Sequence, residues 1–441
     1  GNYSEYYGGI VGMMLKSSNQ RDNAFTSNLL ENNTVAGYIK GSKYIGGVSG
    51  QIQHTNIVNN HSSAAVDYRY DDDYFGGLVA YMQNGNITDS SATGNVSGGD
   101  EIVGGLVGEF STGTILRSFA TGNVTTADTD SNPNLGGLIG YAHSGITITD
   151  SYATGNVTPK TGYASSENGG LIGKLRSTSN QVATITNSYA SGQVGSAGNP
   201  FSDKVGGLIG YLEQPTDTAT ISNSRYTGTG VFGRDRVGGL IGYINFRDSG
   251  SNALTLIDQS YSTGTVSGRD YVGGLLGQAF NTQIRESYAS GNVSGANQVG
   301  GFVGELATGY TDPTYYNNIT GIDPSYTNIK SSIADSYAQG SVTATGNNAG
   351  GLAGSVLYAD VTNAYASGAV SAANGAGGLI GTNVFDMPVG ELYGYENGGG
   401  PLVACSSIAA GSCYYASWTQ TGTTPTTATN TVTNSFFDNQ T

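Results

Sequence analysis

Charge is the first thing this chain lacks. Asp, Glu, Lys and Arg make up 11% of its 441 residues, against about a quarter in ordinary globular proteins, so a disordered polyelectrolyte does not fit. The charge present leans acidic, 32 Asp and Glu against 17 Lys and Arg, which repels phosphate backbones and argues against nucleic acid as a partner. Histidine is scarce too. His54, His61 and His143 are the only three, and with two cysteines they make no recognisable zinc set and no HExxH helix. Serine is too common for any one to mark a Ser-His-Asp triad. No run of about 18 apolar residues exists, so no membrane-spanning helix is expected. The chain opens on Gly1 without a charged-then-apolar leader, which reads as a signal peptide removed or omitted. Helical periodicity is missing as well: no stretch carries it over ten residues without a glycine.

What fills the space is glycine, 71 residues and about twice the usual share, with Asn, Ser, Thr and Tyr. They recur in order. "ITDSYATGNV" at 148–157 returns as "ITNSYASGQV" at 185–194, "IRESYASGNV" at 284–293, "IADSYAQGSV" at 333–342 and "VTNAYASGAV" at 361–370. A second phrase of the type "VGGLIG" occurs twelve times, its paired glycines starting at 8, 46, 76, 104, 136, 169, 206, 238, 273, 300, 350 and 377. Most intervals are 27 to 38 residues and one is 50. A fixed core with elastic spacers marks a solenoid. Segments between glycines are short and rich in Val, Ile, Thr and Tyr, with turn pairs between them, so the units read as strands. The expected fold class is all-β: a parallel β-helix of about twelve coils with loop insertions, each coil holding two or three short strands. At about 4.8 Å per coil the rod is on the order of 60 Å long.

Columns of equivalent residues show which way side chains point. The residue after the second Gly (Val48, Leu78, Leu106, Leu138, Leu171 and so on) is always large and apolar and reads as core. The column Ser90, Ser118, Ser151, Ser188, Ser224, Ser260, Ser287, Ser336, Ala364 is always small and reads as inward, its hydroxyls bonding coil to coil or to nearby backbone. The next column holds Ser91, Phe119, Tyr152, Tyr189, Arg225, Tyr261, Tyr288, Tyr337 and Tyr365. It accepts Arg and Ser beside Tyr, and reads as an outward ladder of stacked rings. The Gly pairs permit positive φ or close backbone approach at a corner.

These paired phrases resemble the GLUG repeat of large bacterial surface and secreted proteins, over residues 7 to 441 apart from insertions. The closing "TVTNSFFDNQT" at 431–441, with Phe436 and Phe437 in place of Tyr-Trp, is similar to the phrase that often ends such arrays. The resemblance implies a β-solenoid on an exported protein and implies no reaction. Residues 1–381 are then the repeat region, interrupted at about 305–332, and 382–441 form a C-terminal insertion with a last strand or capping segment.

Candidate chemistry is sparse. Asp150, Glu286 and Asp335 share a column with Asn187, Asn223 and Asn363, and a column that exchanges Asp for Asn reads as turn chemistry, not general acid–base catalysis. Asp71, Asp72 and Asp73 are the other acidic cluster. In "DTDSNPN", Asp128, Asp130 and Asn132 alternate oxygen donors as at the start of a calcium loop, without the glycine and terminal Glu of an EF-hand. A calcium site there predicts that Ca²⁺ raises the melting temperature and chelator reverses it; no shift in differential scanning fluorimetry removes the site. No other cofactor is expected. Cys405 and Cys413 enclose seven residues; in an exported protein they read as a local disulfide, with two unpaired thiols as the alternative. A flat, regular Thr-x-Thr face of the kind that binds ice is not expected, because "TIT" at 147–149 is not seen to recur in register on successive coils. Long aromatic insertions on a rigid scaffold are where binding is expected: Tyr310, Tyr315, Tyr316 and Tyr326 in the first, Tyr393, Tyr395 and Trp418 in the second. The reading is an extracellular, non-enzymatic adhesin stalk or fibre-forming subunit. Its partners are a further copy joined end to end or a larger surface protein, with carbohydrate or a host or neighbouring cell surface as ligand. A polysaccharide-processing β-helix enzyme is the alternative.

Overall fold

Twelve Gly-Gly bends start twelve coils of a parallel β-helix. The computed structural model describes residues 5–15, 28–68, 74–99, 101–126, 133–143, 145–159, 166–177, 181–201, 203–214, 218–246, 253–311, 319–321, 330–357, 359–384, 431–433 and 435–438. Along each coil the chain visits up to five sheets, numbered I to V here. Sheet I runs from Tyr6–Gly8 to Asn374–Gly377, sheet II from Val11–Met14 to Ile380–Val384, sheet III from Asn28–Glu31 to Thr431–Thr433, and sheet IV from Thr34–Val35 to Phe436–Asp438, twelve strands each. Sheet V comes in two five-stranded runs, Tyr38–Gly41 to Val157–Thr158 and Gly230–Phe232 to Val370–Ser371, bridged by Val194 between Val157 and Val231. Two or three strands per coil was therefore an underestimate. The sheet IV strands are two- or three-residue pieces, Tyr-Ala or similar, too short to stand out as apolar runs.

Each corner has its own chemistry. At the I–II bend the Gly pairs serve close approach. None of the described pairs has a left-handed φ, but a Cβ on Gly136 would lie 2.8 Å from the Gly173 nitrogen of the next coil. The III–IV corner is one left-handed residue, the column Asn32, Asn59, Asp89, Arg117, Asp150, Asn187, Asn223, Gln259, Glu286, Asp335, Asn363, with φ between 46° and 57°. Short Asn and Asp side chains tolerate that region best, so the turn reading of this column holds. At the IV–V corner, the Asn123, Asn156 and Gln193 N–H groups donate to the side-chain oxygens of Asn95, Asn123 and Asn156 one coil back, each at 2.9 Å.

The interior matches the column analysis. The Leu column is fully buried from Val48 to Leu352; at its ends Leu379 is half-buried and Ile10, 46% exposed, stands open to solvent. From Ser118 to Ser336 each serine hydroxyl donates to the carbonyl two residues earlier and accepts the N–H of the equivalent serine one coil back, while Ser90 accepts the N–H of Asn60. Ser151 N–H to Ser188 Oγ is 3.3 Å, and Ser188 Oγ to Thr186 O is 2.9 Å. The aromatic ladder points outward and stacks: ring centroids of Tyr261, Tyr288, Tyr337 and Tyr365 are successively 4.6, 5.0 and 5.0 Å apart. Where the ladder exchanges Tyr for Arg, the Arg225 guanidinium lies 4.5 Å over the Tyr189 ring.

One expectation fails. "TIT" does recur in register on sheet III: Thr147 pairs Thr184 and Thr149 pairs Thr186, then Thr184 pairs Thr220 and Thr186 pairs Ser222. Unequal corner loops shift the sequence interval while the hydrogen-bonded ladder keeps alignment. Another irregularity lies in the core. Asn168 takes the inward sheet I position held by Leu135 and Val205 on either side and is fully buried. Burying an amide costs free energy that a valine does not. Asn168→Val is expected to raise unfolding stability by about 1–2 kcal/mol, read as a higher urea midpoint at unchanged m-value; a lower midpoint would show that the amide is a net stabiliser.

Candidate functional site: a groove between the first two sheets

The Gly-Gly bend folds sheets I and II toward each other on the outside of the rod, so their outward side chains meet. Tyr81 of sheet II packs edge-on against Tyr44 and Tyr74 of sheet I, with centroids 6.1 and 5.8 Å apart. Lys174 of sheet II bonds Glu167 of sheet I at 3.2 Å. Arg236 of sheet I donates to Gln278 of sheet II one coil on, at 2.8 Å. Contacts of this kind require a concave corner. The result is a concave corner, a groove parallel to the rod axis that is floored by the two sheets and, from Tyr211 to Glu305, filled by its own buried side chains.

Its character changes along the rod. Over the first five coils it is aromatic: Tyr6, Tyr44 and Tyr74 stack face to face at 5.0 and 4.7 Å. His143 bonds Glu109 at 2.8 Å and lies beside Tyr141. Burial and the nearby Glu109 carboxylate push the Tyr81 phenol up. From Glu167 to Asn348 one residue in each sheet I strand is left-handed: Glu167, Lys204, Arg236, Tyr271, Gln298 and Asn348, with φ from 48° to 71°. These left-handed residues, repeated at the same position without any shift of register, break the pleat and re-aim side chains. Lys204 thereby reaches over the Tyr211 ring at 4.8 Å and Arg236 over Tyr243 at 4.8 Å. A polar chain then crosses four coils: Asp203 to Arg236 at 2.9 Å, Arg236 to Gln278 at 2.8 Å, Gln278 to Glu305 at 2.8 Å.

Burial drives the Glu305 carboxyl above its ordinary value, against the pull of the Gln278 amide and Arg236, and with Glu305 nearby it pushes the Tyr271 phenol up to about 12. A carboxyl whose folded pKa exceeds its unfolded one favours folding in its protonated form. Its contribution is therefore fully present below the ordinary Glu range and is lost as pH rises through the folded value. Glu305→Gln is expected to leave stability unchanged in acid and to raise it relative to wild type as pH rises to neutrality, measured by urea melts across that range. Parallel pH curves for the two proteins would refute it.

The corners that flank the groove, II–III and V–I, carry nearly all the length variation. On the II–III side one residue suffices between Phe280 and Thr282, whereas residues 308–330 and 385–430 intervene elsewhere. Both aromatic insertions singled out in the sequence therefore leave from the same rim. Tyr310 begins a two-stranded antiparallel hairpin, Tyr310–Thr311 with Ile319–Gly321, which packs against the sheet II strand Ile241–Phe246. Tyr315, Tyr316, Tyr326, Tyr393, Tyr395, Trp418, Cys405 and Cys413 lie outside the described residues, as do Asp71, Asp72 and Asp73 and the calcium candidates Asp128, Asp130 and Asn132. Among the described residues no cluster of His, Cys, Asp and Glu is arranged to hold a metal. Sequence reasoning missed the groove itself. Its lining column, two residues past "GGLI", reads Tyr81, Glu109, Tyr141, Lys174, Tyr211, Tyr243, Gln278, Glu305, and that variability within a constant frame was the available signal.

The GLUG motif matches residues 73–97, 131–158 and 268–294. Each match begins just ahead of a sheet I strand and ends in a sheet V strand, so one motif is one turn of the helix, and the remaining coils repeat it by register. No curated protein and no solved structure matches the chain significantly.

Proposed function

We propose that this GLUG-repeat β-solenoid is a structural and adhesive rod of an exported surface protein, a stalk or fibre-forming subunit that displays binding loops and catalyses no reaction. The observation that carries the reading is the unbroken register of four twelve-stranded sheets. Every internal strand is hydrogen-bonded above and below, so bending the rod must strain many ladders at once, while the loops at two corners vary without disturbing them. An extracellular location fits the low charge and the repeat family. No helix among the described residues is long and apolar enough to cross a membrane. The first coil leaves Ile10, Met13, Leu15 and Leu29 between 44% and 53% exposed. Of these, Ile10 holds the core position of the Leu column, whereas Met13 and Leu29 stand in the outward columns of Gln51 and Asn56. The end of the core at Ile10, with its sheet edges, can receive a further coil, and end-to-end association of copies is part of the proposal.

Acidic groups in the groove support a scaffold over the rival enzyme, because each is held by a neighbour. Glu109 bonds His143, Glu167 bonds Lys174 and Lys204, Asp203 bonds Arg236, and Glu305 bonds Gln278. Negative-stain microscopy should show stiff rods on the order of 60 Å that join into filaments at high concentration, with Ile10→Lys abolishing the joining. Compact particles would overturn the rod, and filaments indifferent to Ile10→Lys would overturn assembly through this end. Deleting 310–328 should lower adhesion of cells displaying the chain; undiminished adhesion takes that loop out of the binding surface.

A further inference from the structure

We propose that the threonine face of sheet III, over coils four to seven, binds ice. The inference goes beyond the adhesive reading above and stands without it. Sequence spacing argued against such a face, and the observed register restores it. Two outward columns run side by side along the rod. The first is Thr114, Thr147, Thr184 and Thr220, and the second is Leu116, Thr149, Thr186 and Ser222, each residue paired with the next across adjacent strands. Rows follow one another about every 4.8 Å along the rod, and the columns stand about 6.6 Å apart, two residues of strand. All but Leu116 carry a hydroxyl, and all are half-buried, as side chains closely set on a sheet face are. The face is therefore a lattice of hydroxyl and methyl groups that repeats in two directions.

The lattice is rigid and its hydroxyls are unused. Beneath it the inward residues Ile115, Ile148, Ile185 and Ile221 are buried, and threonine is stiff at χ1, so the array is ordered before any ligand arrives. Thr186 and Ser222 bond each other at 3.2 Å. Among the described residues, the hydroxyls of Thr114, Thr147, Thr149, Thr184 and Thr220 bond no protein group. Charge narrows the ligand. Neither column holds Asp, Glu, Lys or Arg over these coils. The charges on the border have partners: Asp89 pairs Arg117, Asp258 pairs Arg285, and Asp150 accepts from the Asn187 amide. An ionic ligand finds no counter-charge on the face itself. Topology decides against an extended peptide, which adds a strand at an open edge, because these strands are already paired on both sides. A lattice repeating in two directions suits a crystal surface better than one polymer chain. Ice presents water oxygens that a hydroxyl can both donate to and accept from, and the threonine methyls gain by displacing loosely ordered water.

The test is to grow ice slowly from a dilute solution of the full chain and compare the protein held in the ice with that left in the liquid. Wild type should be enriched in the ice, and seed crystals held just below their melting point in its presence should grow facets instead of staying round. Thr184→Lys and Thr149→Lys each place a long charged chain in the lattice and should lose the enrichment with unchanged circular dichroism. Thr343→Lys, at an exposed position of the sheet V strand Val342–Ala344, should keep it. Exclusion of the wild type from ice overturns the proposal. So does enrichment of Thr184→Lys and Thr149→Lys equal to wild type, or an equal loss in Thr343→Lys. Rods that adhere to cells yet stay out of ice overturn this inference alone; enrichment in ice without cell adhesion supports it and overturns the adhesive reading alone.

Discussion

Gly238→Ala is expected to lower unfolding stability by about 3 kcal/mol or more, at or above the top of the usual range for overpacking. Gly238 closes the sheet I strand Asp235–Gly238 and pairs with Gly206 and Gly273 in the coils on either side. A methyl group there would meet the Ile241 carbonyl, with the Ile241 carbon at 2.6 Å and the Gly277 nitrogen at 2.7 Å. All are backbone atoms, so no side chain can swing aside. Moving them would disturb the bonds that hold the bend to the next coil, Leu240 N–H to Leu275 O at 2.8 Å and Ile241 N–H to Leu275 O at 3.0 Å. In a quasi-one-dimensional array each coil is held only by its neighbours, so the damage should also separate the two halves, broadening the urea transition or splitting it in two. Gly198→Ala is the control: nothing lies within 4 Å of its added methyl, and the change should stay within about 0.5 kcal/mol. If Gly238→Ala matches Gly198→Ala in chemical denaturation, close backbone approach is not what the paired glycines provide.

The same contrast shows what a sequence of this kind reveals. Leu106, Leu138 and Leu208 were readable as core, and Ser151 and Ser188 as inward, because stacking like on like forces identity into those columns. The Tyr152–Tyr189 stack, 4.8 Å between centroids, was readable for the same reason. Strand number was not, since Tyr152–Ala153 is a complete strand of two residues and its limits are set by Asp150 turning left-handed at φ 51°. Nor was the alignment of Thr147 with Thr184, because loop length between coils is free while hydrogen-bond register is not. The groove was hardest. Whether Tyr81 and Tyr74 meet depends on the direction in which the Gly76–Gly77 bend folds, and the residues lining it need not resemble one another to occupy it.

Tyr226 sets those two kinds of constraint against each other. Between the end coils, which carry Val35 and Phe437, its column on sheet IV is otherwise small: Ala190 precedes it and Ser262 follows, with Ala120, Ala153, Ala289 and Ala338 elsewhere. Agreement with its neighbours therefore recommends alanine, and substitutions toward a repeat consensus commonly stabilise by about 0.5–2 kcal/mol. The local packing argues the opposite sign. Tyr226 is fully buried, and its hydroxyl donates to the Gly230 carbonyl at 2.7 Å with the Gly192 carbonyl at 3.1 Å. Glycines make room for the ring: a Cβ on Gly228 would fall 2.6 Å from Tyr226 Cζ, and one on Gly264 2.5 Å from Cε1. Neither glycine has a side chain to refill the space. Tyr226→Ala is thus expected to cost about 3–5 kcal/mol, the range for truncating a buried aromatic, and Tyr226→Phe about 1 kcal/mol for the lost hydrogen bonds. Burial pushes the Tyr226 phenol up, so the hydroxyl stays neutral and both differences should hold constant from mildly acidic to mildly alkaline pH. Urea midpoints of the three proteins decide the matter. Stabilisation by Tyr226→Ala would mean that column identity alone governs this core, whereas a loss graded from Phe to Ala would show that volume in each coil is fixed locally, by the side chain that happens to fill it.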